Sequence, residues 1–195
     1  MQSRREGSLW FTIALIVAAA LKLSLVSDLA VLIQYNPQDD GLYVARAYHL
    51  LTEGGFGPYD ARTLVKLPGM SFWLAGGRLL GLPYLWSMNV LYVLAGCYLV
   101  AGALQCGAGR PLALAAFVVY LFSPITMGSE WMRMMREPLS TGLLVVLFAS
   151  ALFILLRLEA RRLPFGHLAV FALVFAFSVL LREEDVLLHA VVFSV

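Results

Sequence analysis

The chain has 195 residues, of which 61% are hydrophobic and only 13% charged, and its formal charge is +2; a soluble globular domain carries about 25% charged residues, so the composition is that of an integral membrane protein. Its basic residues stand singly or in pairs and form no stripe for a polyanion, which argues against nucleic acid as a partner. Cys97 and Cys106 lie within and at the end of one apolar run and build neither a CxxC metal pattern nor a disulfide framework.

In chain order, Arg4 and Arg5 precede an apolar stretch at about 8–27. It runs past Lys22 without a small-x-small cleavage site and is long enough to span, so it reads as a retained signal anchor rather than a cleaved leader. Lys22, near its far end, is expected to snorkel to the headgroups. An outer loop at about 34–82 then opens on NPQDDG, with Asp39 and Asp40. Within it Arg46, His49 and Glu53 recur at three- and four-residue steps, one polar face of a short helix whose other face carries Tyr43, Ala47, Leu50 and Leu51. Such a helix is predicted to lie along the interface. A glycine-rich turn (Gly54, Gly55, Gly57, Pro58) and a polar stretch to Lys66 lead to a second short helix, from about Pro68 to Leu80. Carrying Gly76, Gly77 and Arg78, it is too brief and too polar to cross and is predicted to be juxtamembrane. Gly77 and Gly81 form a GxxxG that permits close packing.

Four further spans are predicted, at about 83–104, 111–127 (with Pro124 near its exit), 139–157 and 165–181. A last apolar run, 186–195, is too short to cross and is expected to be the start of another span in a longer polypeptide. The expected fold is therefore an all-α, polytopic membrane helix bundle with amphipathic juxtamembrane helices in its first outer loop, forming the N-terminal part of one transmembrane domain. With the N-terminus in the cytoplasm, inner segments carry Arg4, Arg5, Arg110, Arg157, Arg161 and Arg162 against Glu6 and Glu159, and the remaining acids fall outside. The expected location is a cell inner membrane. Arg46, Arg62, Lys66, Arg78, Arg133, Arg136 and Arg182 depart from that trend by sharing the outer face with most of the acids.

Carboxylates beside a bilayer are costly unless wet, paired or bound, so the outer acids are candidate site residues. Three boundary segments combine acids with arginines or lie next to them: NPQDDG, SEWMRMMREP and LREED. A reaction in which a lipid phosphate leaves needs a carboxylate to accept a proton from an acceptor hydroxyl or amine, and cations to hold the phosphate. Arginine suits the second task because its planar fork pairs with phosphate oxygens bidentately.

The order of these pieces resembles the N-terminal half of the membrane core of GT-C glycosyltransferases, polyprenyl-phosphate-sugar enzymes that include protein O-mannosyltransferases and the lipid A aminoarabinose transferase. The likeness covers nearly all of the chain. A first span is followed by an outer loop with the acidic pair Asp39 and Asp40. KLPGMSFWLAGGRLLGLP is similar to the family's proline-containing helix before the second span, and FSPITMGSEWMRMMREPLSTGLLVVLFASALFILLR is similar to its third and fourth spans with their charged loop. LLREEDVLL is similar to the polar break before its sixth span. The family's pair is often Asp-Glu, or Asp-x-Asp in the oligosaccharyl branch, so Asp-Asp leaves the subfamily open.

The resemblance implies a general base at Asp39, with Asp40 beside it as second acid or hydrogen-bond organiser. Glu137 would position the acceptor or a metal, and Arg133 or Arg136 would bind the lipid phosphate. Arg182 and Glu183 would line the same cavity, while Lys66 or His49 would contribute a donor. A polyprenyl-phosphate sugar donor, a lipid, glycan or protein acceptor and the bilayer itself are the implied partners. Metal dependence is divided within the superfamily, so a divalent cofactor stays open, and no metal ligands are assigned.

The same residues carry structural readings. Asp39 or Asp40 before a helix is a good N-cap. Glu137 before Pro138 complements a helix dipole. Arg133 and Arg136 suit interfacial anchors. His49 belongs to a polar helix face, and Glu184 and Asp185 to a solvated boundary. The alternatives to a transferase are a transporter or flippase subunit for lipid-linked substrates, and a non-catalytic structural membrane protein. Transporters place ionisable groups at broken helices near mid-span, whereas the spans from Pro83 onward carry charge almost only at their ends.

Overall fold

The computed structural model describes residues 2–31, 40–58 and 66–182. Asp39, Arg62, Glu183, Glu184, Asp185 and the apolar run from Val186 lie outside the described residues. The fold is all-α, and no strand occurs among the described residues. Its helices are α1 (Gln2–Ser27), α2 (Asp40–Thr52), α3 (Gly69–Leu79), α4 (Tyr84–Gln105), α5 (Arg110–Leu121), α6 (Pro124–Met127), α7 (Arg136–Glu159) and α8 (Phe165–Leu181), with a 3-10 turn at Ser129–Met132 before α7.

Prolines and turn residues set the helix ends. Pro83 is extended before α4, Pro111 sits in the first turn of α5, and Pro164 precedes α8; proline's fixed φ and missing N–H suit it to such starts. After α4 the chain stops in a Schellman turn, with Gly107 at φ 87° and backbone bonds from Gly107 to Leu104 and from Ala108 to Ala103. The same turn closes α7, but there the left-handed residue is Arg161, at φ 53°. An L-residue in that conformation costs about 1–2 kcal/mol, so Arg161→Gly is expected to stabilise the protein by about 1 kcal/mol. Thermal unfolding in detergent would register this as a higher Tm, and a lowered Tm would mean that the arginine makes a compensating contact.

Among the described residues three helices are long and apolar enough to cross a membrane: Gly7–Ser27 within α1, α4 and α7. Their outward faces carry large apolar side chains in the open, among them Trp10, Ile16, Leu94, Phe148 and Leu155. Contiguous apolar surface of this kind needs a cover, which acyl chains supply. Helix α8 follows the sequence expectation in its bounds, but α5 does not continue to Met127. The helix ends at Leu121, and Ser123 turns extended (φ −54°, ψ 137°). Pro124 is the cause, because its ring disfavours the helical conformation in the residue before it. At 12 residues, α5 rises about 18 Å, against about 33 Å for the 22 residues of α4.

Helices α4 and α7 lie side by side in parallel. The Tyr92 hydroxyl donates to the Pro138 carbonyl at 2.8 Å, Gly142 abuts Leu91 and Tyr92, and Gly102 abuts Leu152. Helix α8 returns antiparallel along α7, so that His167 stacks on Phe153, with ring centroids 4.5 Å apart. On the other side of α4, α5 runs antiparallel, with Gly96 against Phe117 and Tyr120, and α1 packs on both α4 and α5. This connectivity sorts the helix ends. Gly7, which approaches Arg110, shares one end of the bundle with the turns at 105–110 and 160–164. The other end gathers the C-terminal ends of α1, α5 and α8, the N-terminal ends of α4 and α7, and the α2–α3 pair.

Lys22 does not snorkel. It is fully buried, and its ammonium donates to the Thr126 carbonyl at 3.3 Å and lies 3.0 Å from the Met127 sulfur. The reason is the interruption at Phe122–Pro124, which leaves backbone carbonyls without helical partners beside α1. A cation at that point satisfies one of them and offsets the negative end of the α5 dipole.

Candidate functional site

Helix α2 presents its charges differently from the sequence expectation. Asp40, Tyr43, Arg46 and Ala47 form one buried stripe at helical spacing. Arg46, expected on the polar face, turns inward and donates to the Lys66 carbonyl at 2.6 Å. The displacement follows from packing: α2 lies against α3, and Arg46 stands one turn beyond the deeply buried Tyr43. His49 and Glu53 stay on the outer side and pair with each other at 2.9 Å. The chain folds back over that imidazole at Gly57, where an added Cβ would lie 2.7 Å from the ring. His49 is thus committed to closing the turn after α2, nine residues or about 13 Å along the helix from Asp40.

Tyr84, the first residue of α4, is the hub of the charged end. Its buried hydroxyl donates to the Arg133 carbonyl at 3.1 Å, with the Met135 carbonyl at 3.5 Å. Asp40 and Glu137, 97 positions apart in the sequence, both lie within electrostatic range of this hydroxyl. Asp40 is buried and Glu137 half-buried in the first turn of α7, where the helix dipole favours an anion.

The cations stand around this pair. Arg133 and Arg136 are half-buried, and Arg136 reaches the Leu181 carbonyl at 3.5 Å, the limit of a hydrogen bond. Its guanidinium therefore sits at the C-terminal end of α8, where the dipole favours a cation, and half-buried Arg182 follows directly. Lys66 is half-buried and enters through its backbone, as the acceptor for Arg46. Gly69 locks the start of α3 to the end of α8: an added Cβ would stand 2.6 Å from the Leu180 carbonyl oxygen. The structure thus brings Asp40, Glu137, Arg133, Arg136, Lys66 and Arg182 to one end and turns His49 away, while Asp39 and Glu183 lie outside the described residues.

Sequence reasoning missed Arg46 and Tyr84. For Arg46 a signal existed, since it continues the spacing 40–43–46. For Tyr84 there was none beyond an aromatic residue at a helix start. A cleft of about 360 Å³ opens beside the hub, between α3 and α4, with Tyr84 in its wall together with Trp73, Arg78, Leu82 and Ser87. Among the described residues no three His, Cys, Asp or Glu side chains gather as a metal site. The carboxylates of Asp40 and Glu137 are oxygen donors of the kind magnesium or manganese takes.

The molecule is therefore an all-α bundle, with helices able to cross a membrane, whose one end gathers the buried Asp40 and the half-buried Glu137 with arginines. No family model matches the chain, and no curated protein or solved structure matches it.

Proposed function

We propose that the protein is a glycosyltransferase that moves a sugar from a polyprenyl-phosphate donor to a lipid, glycan or protein acceptor, at the outer face of a cell inner membrane. The observation that carries this reading is the gathering of Asp40 and Glu137, both within electrostatic range of the Tyr84 hydroxyl, with Arg133, Arg136 and Arg182 at one end of the bundle. A cytoplasmic N-terminus is supported by the opposite end, where Arg110 and Arg161 stand beside the start of α1 or in the neighbouring turn.

In this reading Asp39 accepts the proton of the acceptor hydroxyl or amine, and Asp40 orients it. The acceptor atom bonds to the anomeric carbon as the bond from that carbon to the phosphate oxygen breaks. Polyprenyl phosphate leaves with the electron pair, and the arginines stabilise its charge. Attack from the face opposite the leaving group inverts the anomeric centre. Glu137 holds the acceptor, Lys66 contributes a donor, and Arg182 and Glu183 line the cavity.

A carrier for lipid-linked substrates is the second reading, favoured by the break at Phe122–Pro124 with the buried Lys22 beside it. One assay separates the two. Membrane vesicles carrying the protein are supplied with polyprenyl-phosphate pentose, hexose or aminosugar labelled in the sugar. Free polyprenyl phosphate and an equal amount of labelled product are expected. Donor that crosses the bilayer intact, with no product, would overturn the transferase and leave the carrier.

A further inference from the structure

The cleft between α3 and α4 has a chemistry of its own. Arg78 is the one charged residue in its wall, and no carboxylate pairs with it among the described residues. The other polar groups around it are already engaged. The Trp73 indole donates to the Ser87 hydroxyl at 3.0 Å, and that hydroxyl donates to the Tyr84 carbonyl at 2.8 Å. Tyr84 itself is turned to the Arg133 carbonyl.

Nor is Arg78 needed to cap α3. A Schellman turn, with Gly81 at φ 69°, already supplies partners through bonds from Gly81 to Arg78 and from Leu82 to Gly77. The guanidinium is thus the group with hydrogen-bonding capacity to spare, and it selects an anion. Directly beside it Leu79 and Leu80 are 77% and 76% exposed, an apolar lip at the mouth of a charged cleft.

We propose that this cleft seats the phosphate headgroup of an anionic bilayer phospholipid, with Arg78 as the phosphate ligand and an acyl chain lying along Leu79 and Leu80. The charge fits the phosphate, a cavity of about 360 Å³ admits a phosphoglycerol head, and the exposed leucines fit the chain. A free phosphate ion satisfies the first condition and leaves the lip uncovered. The inference rests on the bundle standing in a bilayer, not on sugar transfer, so either can fail without the other.

The test is native mass spectrometry of the purified protein titrated with phosphatidylglycerol. Arg78→Gln is expected to weaken binding of one phosphatidylglycerol about tenfold or more, the loss of one charge-assisted pair, and Arg78→Lys to restore part of it. The double variant Leu79→Ser with Leu80→Ser, which keeps the charge, is expected to weaken it as well. Inorganic phosphate in excess should leave the lipid bound. Because Arg78, Leu79 and Leu80 are all exposed, the circular dichroism of every variant should match that of the parent protein. Equal lipid retention by the parent and Arg78→Gln overturns the proposal. So does displacement by inorganic phosphate with no effect of the serines, which would define a site for the free ion.

Discussion

Membranes carrying Asp39→Asn are expected to lose sugar transfer by about a hundred- to ten-thousand-fold, the usual contribution of a general base, and those carrying Asp40→Asn to lose a large part of it, with insertion unchanged in both. Asparagine keeps the shape of aspartate and caps helices as well as it does, so α2 stays intact and only the carboxylate charge disappears. That separates chemistry from capping. Asp40 is buried, and its charge reaches the same phenol that the charge of Glu137 reaches. Removing it changes the field at this end of the bundle without opening a void. Transfer measured as release of polyprenyl phosphate, with protein levels matched by immunoblot, would decide. Retained transfer in Asp40→Asn, joined to a lowered Tm in Asp40→Ala, would make this residue a helix cap and nothing more.

The largest expected loss of stability comes from Gly69→Ala. The added methyl would meet the Leu180 carbonyl oxygen at 2.6 Å, the Leu180 carbonyl carbon at 2.8 Å and the Leu181 Cα at 2.8 Å, all of them backbone. A side chain can swing aside; a helix end cannot. The start of α3 must therefore separate from the end of α8, at a cost of about 1–3 kcal/mol or more, as in other overpacked cores. Since Arg136 reaches the carbonyl of Leu181, the next residue, the separation also displaces one of the candidate phosphate ligands. Gly76→Ala is the control, because nothing lies within 4 Å of its added methyl and a helix interior gains about 0.5–1 kcal/mol from alanine. Thermal unfolding of the two variants should shift Tm in opposite directions. A Gly69→Ala protein as stable as the parent would mean that the α3–α8 contact is looser than this geometry requires.

The helices were legible where apolar runs meet proline or glycine. Helix α8 begins after Pro164, and α3 falls one residue inside each end of the segment read from Pro68 to Leu80. The charged end was legible as a set of clusters in every second loop, which connectivity alone puts on one side of the spans. What stayed hidden was which charge turns inward. Lys22 and Arg46 both lie where a cation ordinarily reaches water, but their partners are carbonyls 104 and 20 positions away in the chain. The Tyr84 hub depends likewise on residues from α2 and α7 that no local spacing relates. Pro124 was visible in the sequence, but the depth at which it ends α5 came only from packing.

That early ending shapes the surface of the molecule. Because α5 rises about 15 Å less than α4, residues 124–132 cover the remaining height without one continuous helix, and Thr126, Met127 and Trp131 come to stand beside Val26, Leu29 and Asn89. The wall of the bundle on this flank is thus short turns in place of a regular helix, and the ammonium of Lys22 is the rivet that ties it to α1.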